Sequence, residues 1–160
     1  MTLALFLKID GIKGESTDVK HKDEIDIESF SWGVSHPGVV TTGGGGGSGR
    51  PVFPDVTIVA RQSVASPALF LACAQGKHIA TAVLTARRQG NVGLDYYTIT
   101  FSDIVITAFH EVGSEGAEDV SESISFNYEK IKLEYHRQNA TGALAAPVTA
   151  GWNVGINKKL

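Results

Sequence analysis

Apolar residues recur at every second position along much of this chain. Leu3, Leu5, Leu7 and Ile9 share one face of an extended segment. Residues 55–61 repeat the pattern through Val56, Ile58 and Ala60. Residues 78–88 place Ile79 and Val83 on one face and Ala80, Ala82, Leu84 and Ala86 on the other. A period of two means strands. Residues 94–109 and 121–137 are long and rich in Tyr, Ile, Thr, Phe and Val, and 151–157 reads as a final short strand. The expected fold is therefore mainly β.

The alternation then slips by one residue inside three strands. Ile25 and Ile27 give way to Phe30 and Trp32. Tyr97, Ile99 and Phe101 give way to Ile104 and Ile106, and Ile124, Phe126 and Tyr128 to Ile131, Leu133 and Tyr135. Two arrangements account for this. A β-bulge near residues 28–29, 102–103 and 129–130 would bend the sheet toward a closed barrel. Alternatively the strands are straight, one half facing the core and the other a neighbouring subunit. Neither is a flat sheet with one wet face.

One short helix is signalled at about residues 67–75. Ser66 is a suitable N-cap, Pro67 suits the first turn and Gly76 can close the end. Leu69, Ala72 and Cys73 fall on one face, which assigns Cys73 to the core rather than to chemistry. As the single cysteine it cannot form an internal disulfide, so packing must hold the fold.

The 160 residues are 42% hydrophobic, enough for one domain spanning 1–160 that buries about 70% of its unfolded surface. A net charge of −3 gives no field for nucleic acid. The basic spots, Lys77–His78 with Arg87–Arg88 and Lys158–Lys159, are too small for a backbone-tracking groove. No segment has the length and hydropathy of a membrane span. The start, MTLALFLKID, lacks a basic n-region and its apolar run breaks at Lys8, so export by the general secretory route is not expected.

Residues 41–50 read TTGGGGGSGR. Gly44 and Gly49 have P-loop spacing, but Arg50 and Pro51 stand where Lys and Ser/Thr must be, and Pro51 cannot supply a magnesium-binding hydroxyl. The following RPVFP reads as extended chain rather than the helix a dinucleotide site requires. A domain linker fails because the preceding piece is too small to fold alone. Val39, Val40, Val52 and Phe53 flank the glycines and suit a hairpin arm that docks on a partner.

Catalytic and metal signals are missing. His21, His36, His78, His110 and His136 have no ligand spacing, and no nucleophile elbow is present. Asn139-Ala140-Thr141 is a formal sequon without the secretory context that would give it meaning. No catalytic residue, cofactor or metal is expected. Residues 111–122 hold Glu111, Glu115, Glu118, Asp119 and Glu122 with no base. They read as a solvated loop, or as a docking surface for Arg87–Arg88 of another copy. Trp32 and Trp152 suit either burial or a sugar platform.

These features come together in one resemblance. FLKIDGIKGEST at 6–17, EIDIESFSWG at 24–33, the glycine loop at 43–49, SPALFLACAQGKHI at 66–79, DYYTITFSD at 95–103, ISFNYEKIKLEYHRQ at 124–138 and GWNV at 151–154 follow one another over nearly the whole chain. In this order they resemble the Hcp family, the tube proteins of type VI secretion systems. The resemblance implies a β-barrel of two packed antiparallel sheets with one helix on its side. It implies a homo-hexameric ring with an open channel, stacked head to tail into an inner tube within a contractile sheath. It further implies a VgrG-like spike at the tip of the tube, effector proteins carried in it, and secretion without a signal peptide.

By residue, the resemblance makes Gly43, Gly44, Gly45, Gly46, Gly47, Ser48 and Gly49 a ring-to-ring contact loop and turns Ser31 to the lumen. Arg87 and Arg88 against Glu115, Glu118 and Asp119 are candidate stacking charges. Some members carry a toxin domain after the barrel. The chain's stop at Leu160 leads to the expectation of no enzyme activity. The alternative is a monomeric β-barrel that binds a carbohydrate-type ligand.

Overall fold

The computed structural model describes residues 2–38, 49–89 and 93–160. Its elements are β1 (Leu3–Ile9), β2 (Ile25–Ser31), β3 (Val56–Arg61), α1 (Ser66–Gln75), β4 (His78–Arg88), β5 (Leu94–Val112), β6 (Ser121–Gln138), β7 (Leu144–Asn153) and β8 (Lys158–Lys159). The strands form one antiparallel sheet in the order β3-β2-β1-β4-β5-β6-β7-β8. Strand β3 also pairs with β6, so the first six of these close into a barrel. Strands β7 and β8 extend from β6 outside it.

Strand β6 changes partner along its length. Its first half, Ser121–Phe126, pairs with β3, and its second half, from Lys130, pairs with β7. The core fills the barrel with Leu7, Ile25, Ile58, Leu84, Ile99, Phe101, Ile104, Ile124 and Phe126, all buried. Phe101 and Phe126 meet edge to face, with ring centroids 5.1 Å apart. Aromatic pairs favour this arrangement because it sets a positive ring edge against a negative face.

The three slips in alternation have two physical origins. In β2, Ile27 pairs with Ala60 and Ser29 with Val59, which leaves Glu28 as an extra residue. That is the expected bulge. At 102–103 and 129–130 no bulge forms. Ser102 pairs with Lys130 and Ile104 with Tyr128, so register runs straight through. Both strands turn together instead, with Asp103 in the left-handed region at φ 54°. An extra residue in one strand would shift register. One placed in both strands at the same level keeps register and switches both faces. Phe101 and Ile104 are therefore both buried.

Beyond this kink the upper half of β6 leaves the core, as the straight-strand alternative expects of its outer half. Leu133 is half-buried and Tyr135 is 42% exposed. A bulge not anticipated from the sequence shifts register between Ile106 and Ala108.

Helix α1 begins one residue earlier than a Ser66 cap would place it. Ala65 is the N-cap and makes no side-chain cap bond. Ser66 lies inside the first turn, where its Oγ accepts from the Ser63 N–H at 2.9 Å. Gly76 closes the helix with φ 60°, and the amides at the cap donate to the carbonyls of Ala72 and Cys73. Leu69 and Ala72 are buried, and Cys73 is half-buried against the core.

In place of one final strand at 151–157, β7 runs earlier and longer, at Leu144–Asn153, and the two-residue β8 follows it. Its residues Ala145 to Ala150 are small or polar and include Pro147, so no alternation marks them. Proline is tolerated there because β7 is an edge strand over that stretch.

Candidate functional site

Antiparallel pairing gives the molecule two distinct ends. Strand β5 runs from Leu94 to Val112, a contour of roughly 60 Å at strand rise. Arg88 pairs with Leu94, and Tyr97 with Tyr135, so Arg88, Leu94 and Gln138 mark one end, called upper here. Val112 pairs with Ser121 and Arg61 with Ser121, which marks the lower end. Arg87 and Arg88 therefore lie at the upper end. Glu115, Glu118 and Asp119 sit in the exposed β5–β6 turn at the lower end.

The two arginines differ sharply. Arg88 is exposed, its guanidinium carbon 4.4 Å from the Tyr96 ring centroid. Arg87 is buried and used inside the chain. Its Nε donates to Asp95 at 2.9 Å and its Nη1 to Asp18 at 2.6 Å, and it lies 5.3 Å from the Phe6 centroid. Bonding to Arg87 holds the Asp18 carboxyl below the ordinary carboxylate range. His21 completes the cluster. Its Nδ1 is 2.7 Å from Glu24, its Nε2 is 2.9 Å from Asp95, and its ring stacks on Phe6 at 4.3 Å. Asp18, His21 and Glu24 belong to the loop before β2, so this cluster ties that loop to the upper end of β4 and β5. Of the two candidate stacking bases only Arg88 presents its charge outward. Asp95 is the cross-strand partner of Arg87 in the β4–β5 hairpin, while Asp18 comes from a loop 69 residues away, a contact that no local pattern marks. Asp119 lies 3.6 Å from Arg61 Nη1, while Glu115 and Glu118 are exposed.

Ser31 is exposed at the last position of β2, opposite Thr57. Gly43, Gly44, Gly45, Gly46, Gly47 and Ser48 lie outside the described residues. The two stems of that segment do pair, with Ser35 and Val52 exchanging bonds of 3.0 and 2.7 Å. Gly49 lines an apolar groove of about 560 Å³ with Trp32, Val34, Phe53, Leu133 and Trp152. Both tryptophans pack against the core. The groove walls are hydrocarbon, with few of the amide and carboxylate groups that hold sugar hydroxyls. The carbohydrate reading draws no support from it.

Among the described residues no group of His, Cys, Asp and Glu could hold a metal ion, and no helix is long and apolar enough to cross a membrane.

The family described as Type VI secretion system effector, Hcp matches residues 6–135. The chain belongs to the Hcp family. It is also 35% identical over 159 residues to Protein hcp1 of Pseudomonas aeruginosa, covering 98% of each chain. The crystal structure of Hcp1 from Salmonella typhimurium matches with a TM-score of 0.80 at 32% identity, covering 100% of both chains. A structure of a type six secretion system protein matches with a TM-score of 0.93 at 26% identity over 99% of this chain and 100% of that one. A type VI secretion system effector from Yersinia pestis matches at 30% identity and a TM-score of 0.76, over 93% of this chain and 98% of that one. The chain is thus a type VI secretion tube and effector protein of the Hcp family, with that family's barrel.

Proposed function

We propose that this Hcp-family chain, acting as a single domain over 1–160, assembles into hexameric rings that stack head to tail into a secretion tube. The tube carries effector proteins, runs inside a contractile sheath and bears a VgrG-like spike. The protein acts as structure and carrier rather than enzyme, needs no cofactor, engages neither nucleic acid nor membrane, and leaves the bacterial cytoplasm without a signal peptide.

One observation carries the ring: the upper sheet has two unlike open edges. On one side, β1 above Leu5 pairs only with β4, and Leu3 is 53% exposed. On the other, β7 from Leu144 to Ala150 has no outer partner among the described residues, and Val148 is 72% exposed. Unlike surfaces that complement each other make head-to-tail contacts, which close into a ring when the rotation allows. Opposite charges at opposite ends, Arg88 above and Glu115 and Glu118 below, supply the stacking complement. Ser31 is the lumen-facing contact in this reading and Gly43–Gly49 the arm that reaches the next ring.

Light scattering on the purified chain tests it. A ring gives about six times the 17.0 kDa chain mass, with six-fold particles by negative stain. A stable monomer overturns the ring. Deleting residues 43–49 spares the ring and impairs the tube; loss of the ring itself removes the stacking role of that loop.

A further inference from the structure

At the lower end two carboxyl groups face each other without a cation. Glu111 of β5 and Glu122 of β6 are direct cross-strand partners. Residues directly opposite project from the same face with Cβ atoms about 5 Å apart, so like charges there repel. Glu122 is 1% exposed, and its Oε1 is buried with no hydrogen-bond partner. No lysine, arginine or histidine among the described residues pairs with either group. The nearby base, Arg61, pairs across from Ser121 and so projects from the other face of β3, toward Glu28 and Asp119.

The surroundings of Glu122 are otherwise uncharged. On β3 it faces Ala60. On α1 it meets the Ser66 hydroxyl, and the helix has no acid in its first turn and no base in its last. On β5 it faces Glu111, its direct cross-strand partner, which is exposed. Burial favours the neutral acid, and Glu111 adds to this; the Ser66 hydroxyl opposes it. A cleft of about 330 Å³ lined by Gln62, Ser66, Phe70, Phe109 and Glu111 opens on the Glu111 side of the pair.

The location gives the pair leverage. It sits at the root of the hairpin whose turn bears Glu115, Glu118 and Asp119. The Gln62 amide donates to the Val120 carbonyl at 2.9 Å, which ties the same hairpin to the segment leading into α1.

We propose that Glu111 and Glu122 form a proton-held latch. While they share a proton the acidic hairpin stays closed against the start of α1, and loss of that proton to water loosens hairpin and helix start together. The latch lies within one chain and does not depend on ring formation.

Hydrogen exchange of the full chain, read by mass spectrometry and corrected for the intrinsic pH dependence of exchange, tests it. Peptides covering 113–123 and 62–69 are followed from about pH 5 to about pH 9. Protection of both falls together as pH rises, by up to about tenfold per unit above the ordinary glutamate value until the pair is ionised. Glu122→Gln keeps a neutral side chain at every pH and abolishes that fall. It leaves Glu115, Glu118 and Asp119 in place, so their charges are controlled. A flat wild-type profile, or an undiminished fall in Glu122→Gln, overturns the latch. Should Glu122→Gln fail to fold, Glu111→Gln decides. It removes the opposing charge and shrinks the fall; an unchanged fall removes the pair.

Discussion

Arg87 and Asp95 lie 2.9 Å apart, Nε to Oδ1, with the guanidinium side chain only 9% exposed. Residue 87 is therefore a structural member of the upper end. Arg87→Ala strands the carboxylates of Asp18 and Asp95 and strips a cation from Phe6. The half-exposed Asp95 carboxylate keeps water and His21, so losing its charge-assisted bond to Arg87 costs about 1.5–3 kcal/mol. Thermal and urea unfolding of the purified protein check this, and a loss under about 1 kcal/mol would place the pair in effective contact with water.

Arg88→Glu has the opposite profile. The side chain is exposed and its contact with Tyr96 contributes about 0.5–1 kcal/mol, so the fold tolerates the change. Under the proposed head-to-tail stacking, the variant weakens association of rings, and the deficit shrinks as salt rises and screens the charges. Sedimentation of assembled tubes at low and high salt measures it.

Asp103 stands at φ 54° in the kink shared with β6, exposed and without a side-chain hydrogen bond. Left-handed backbone costs most residues about 1–2 kcal/mol and glycine nothing, with aspartate intermediate. Asp103→Gly raises or preserves stability, whereas Asp103→Val lowers it by about 1–2 kcal/mol. A melting-temperature comparison of the two variants decides it; equal loss in both would put the constraint in the side chain rather than the backbone.

The β6–β7 turn carries a pH dependence of known sign. The Ala145 carbonyl, 3.0 Å from His136 Nδ1, raises the affinity of the ring for a proton above the ordinary value of 6.5. Glu134, 2.9 Å from Nε2, adds to it. A raised folded value means the contribution is present in full below 6.5 and is lost as pH rises through the folded value. Amide exchange across 136–145 therefore quickens as pH rises above 6.5, beyond its intrinsic change. His136→Gln removes the step.

Gly14 has no room for a side chain. A Cβ there would run into the Glu24 carbonyl and lie 2.8 Å from the Ile25 Cα, both of them backbone. Gly14→Ala must displace the loop that carries Asp18, His21 and Glu24, and costs about 2 kcal/mol or more. Retained stability would show that the loop shifts freely.

What the sequence revealed and hid follows a physical divide. Strands with one face in the core announce themselves, because burial imposes a period of two on Leu3–Ile9 and Val56–Arg61. The face switch at Asp103 was visible as a slip, since Phe101 and Ile104 are both apolar. Its mechanism was not visible, because register belongs to two strands and one strand cannot report it. Strand β7 was missed over most of its length because its residues from Ala145 to Ala150 lack a buried face to mark them. The candidate site divided the same way. The opposite ends of Arg88 and Glu115 follow from strand order alone, while the capture of Arg87 by Asp18 depends on a fold that brings distant residues together.

The partner change in β6 has a mechanical consequence. A single uninterrupted strand belongs to the closed barrel at one end and to the open sheet at the other, with β5 beside it throughout. A push along the strand axis meets two ladders of hydrogen bonds loaded in shear, many sharing the load at once, rather than a hinge between separate modules. The kink at Asp103 turns both strands and leaves their mutual register unchanged. Thrust applied at the acidic end is thus delivered to the arginine end through continuous backbone.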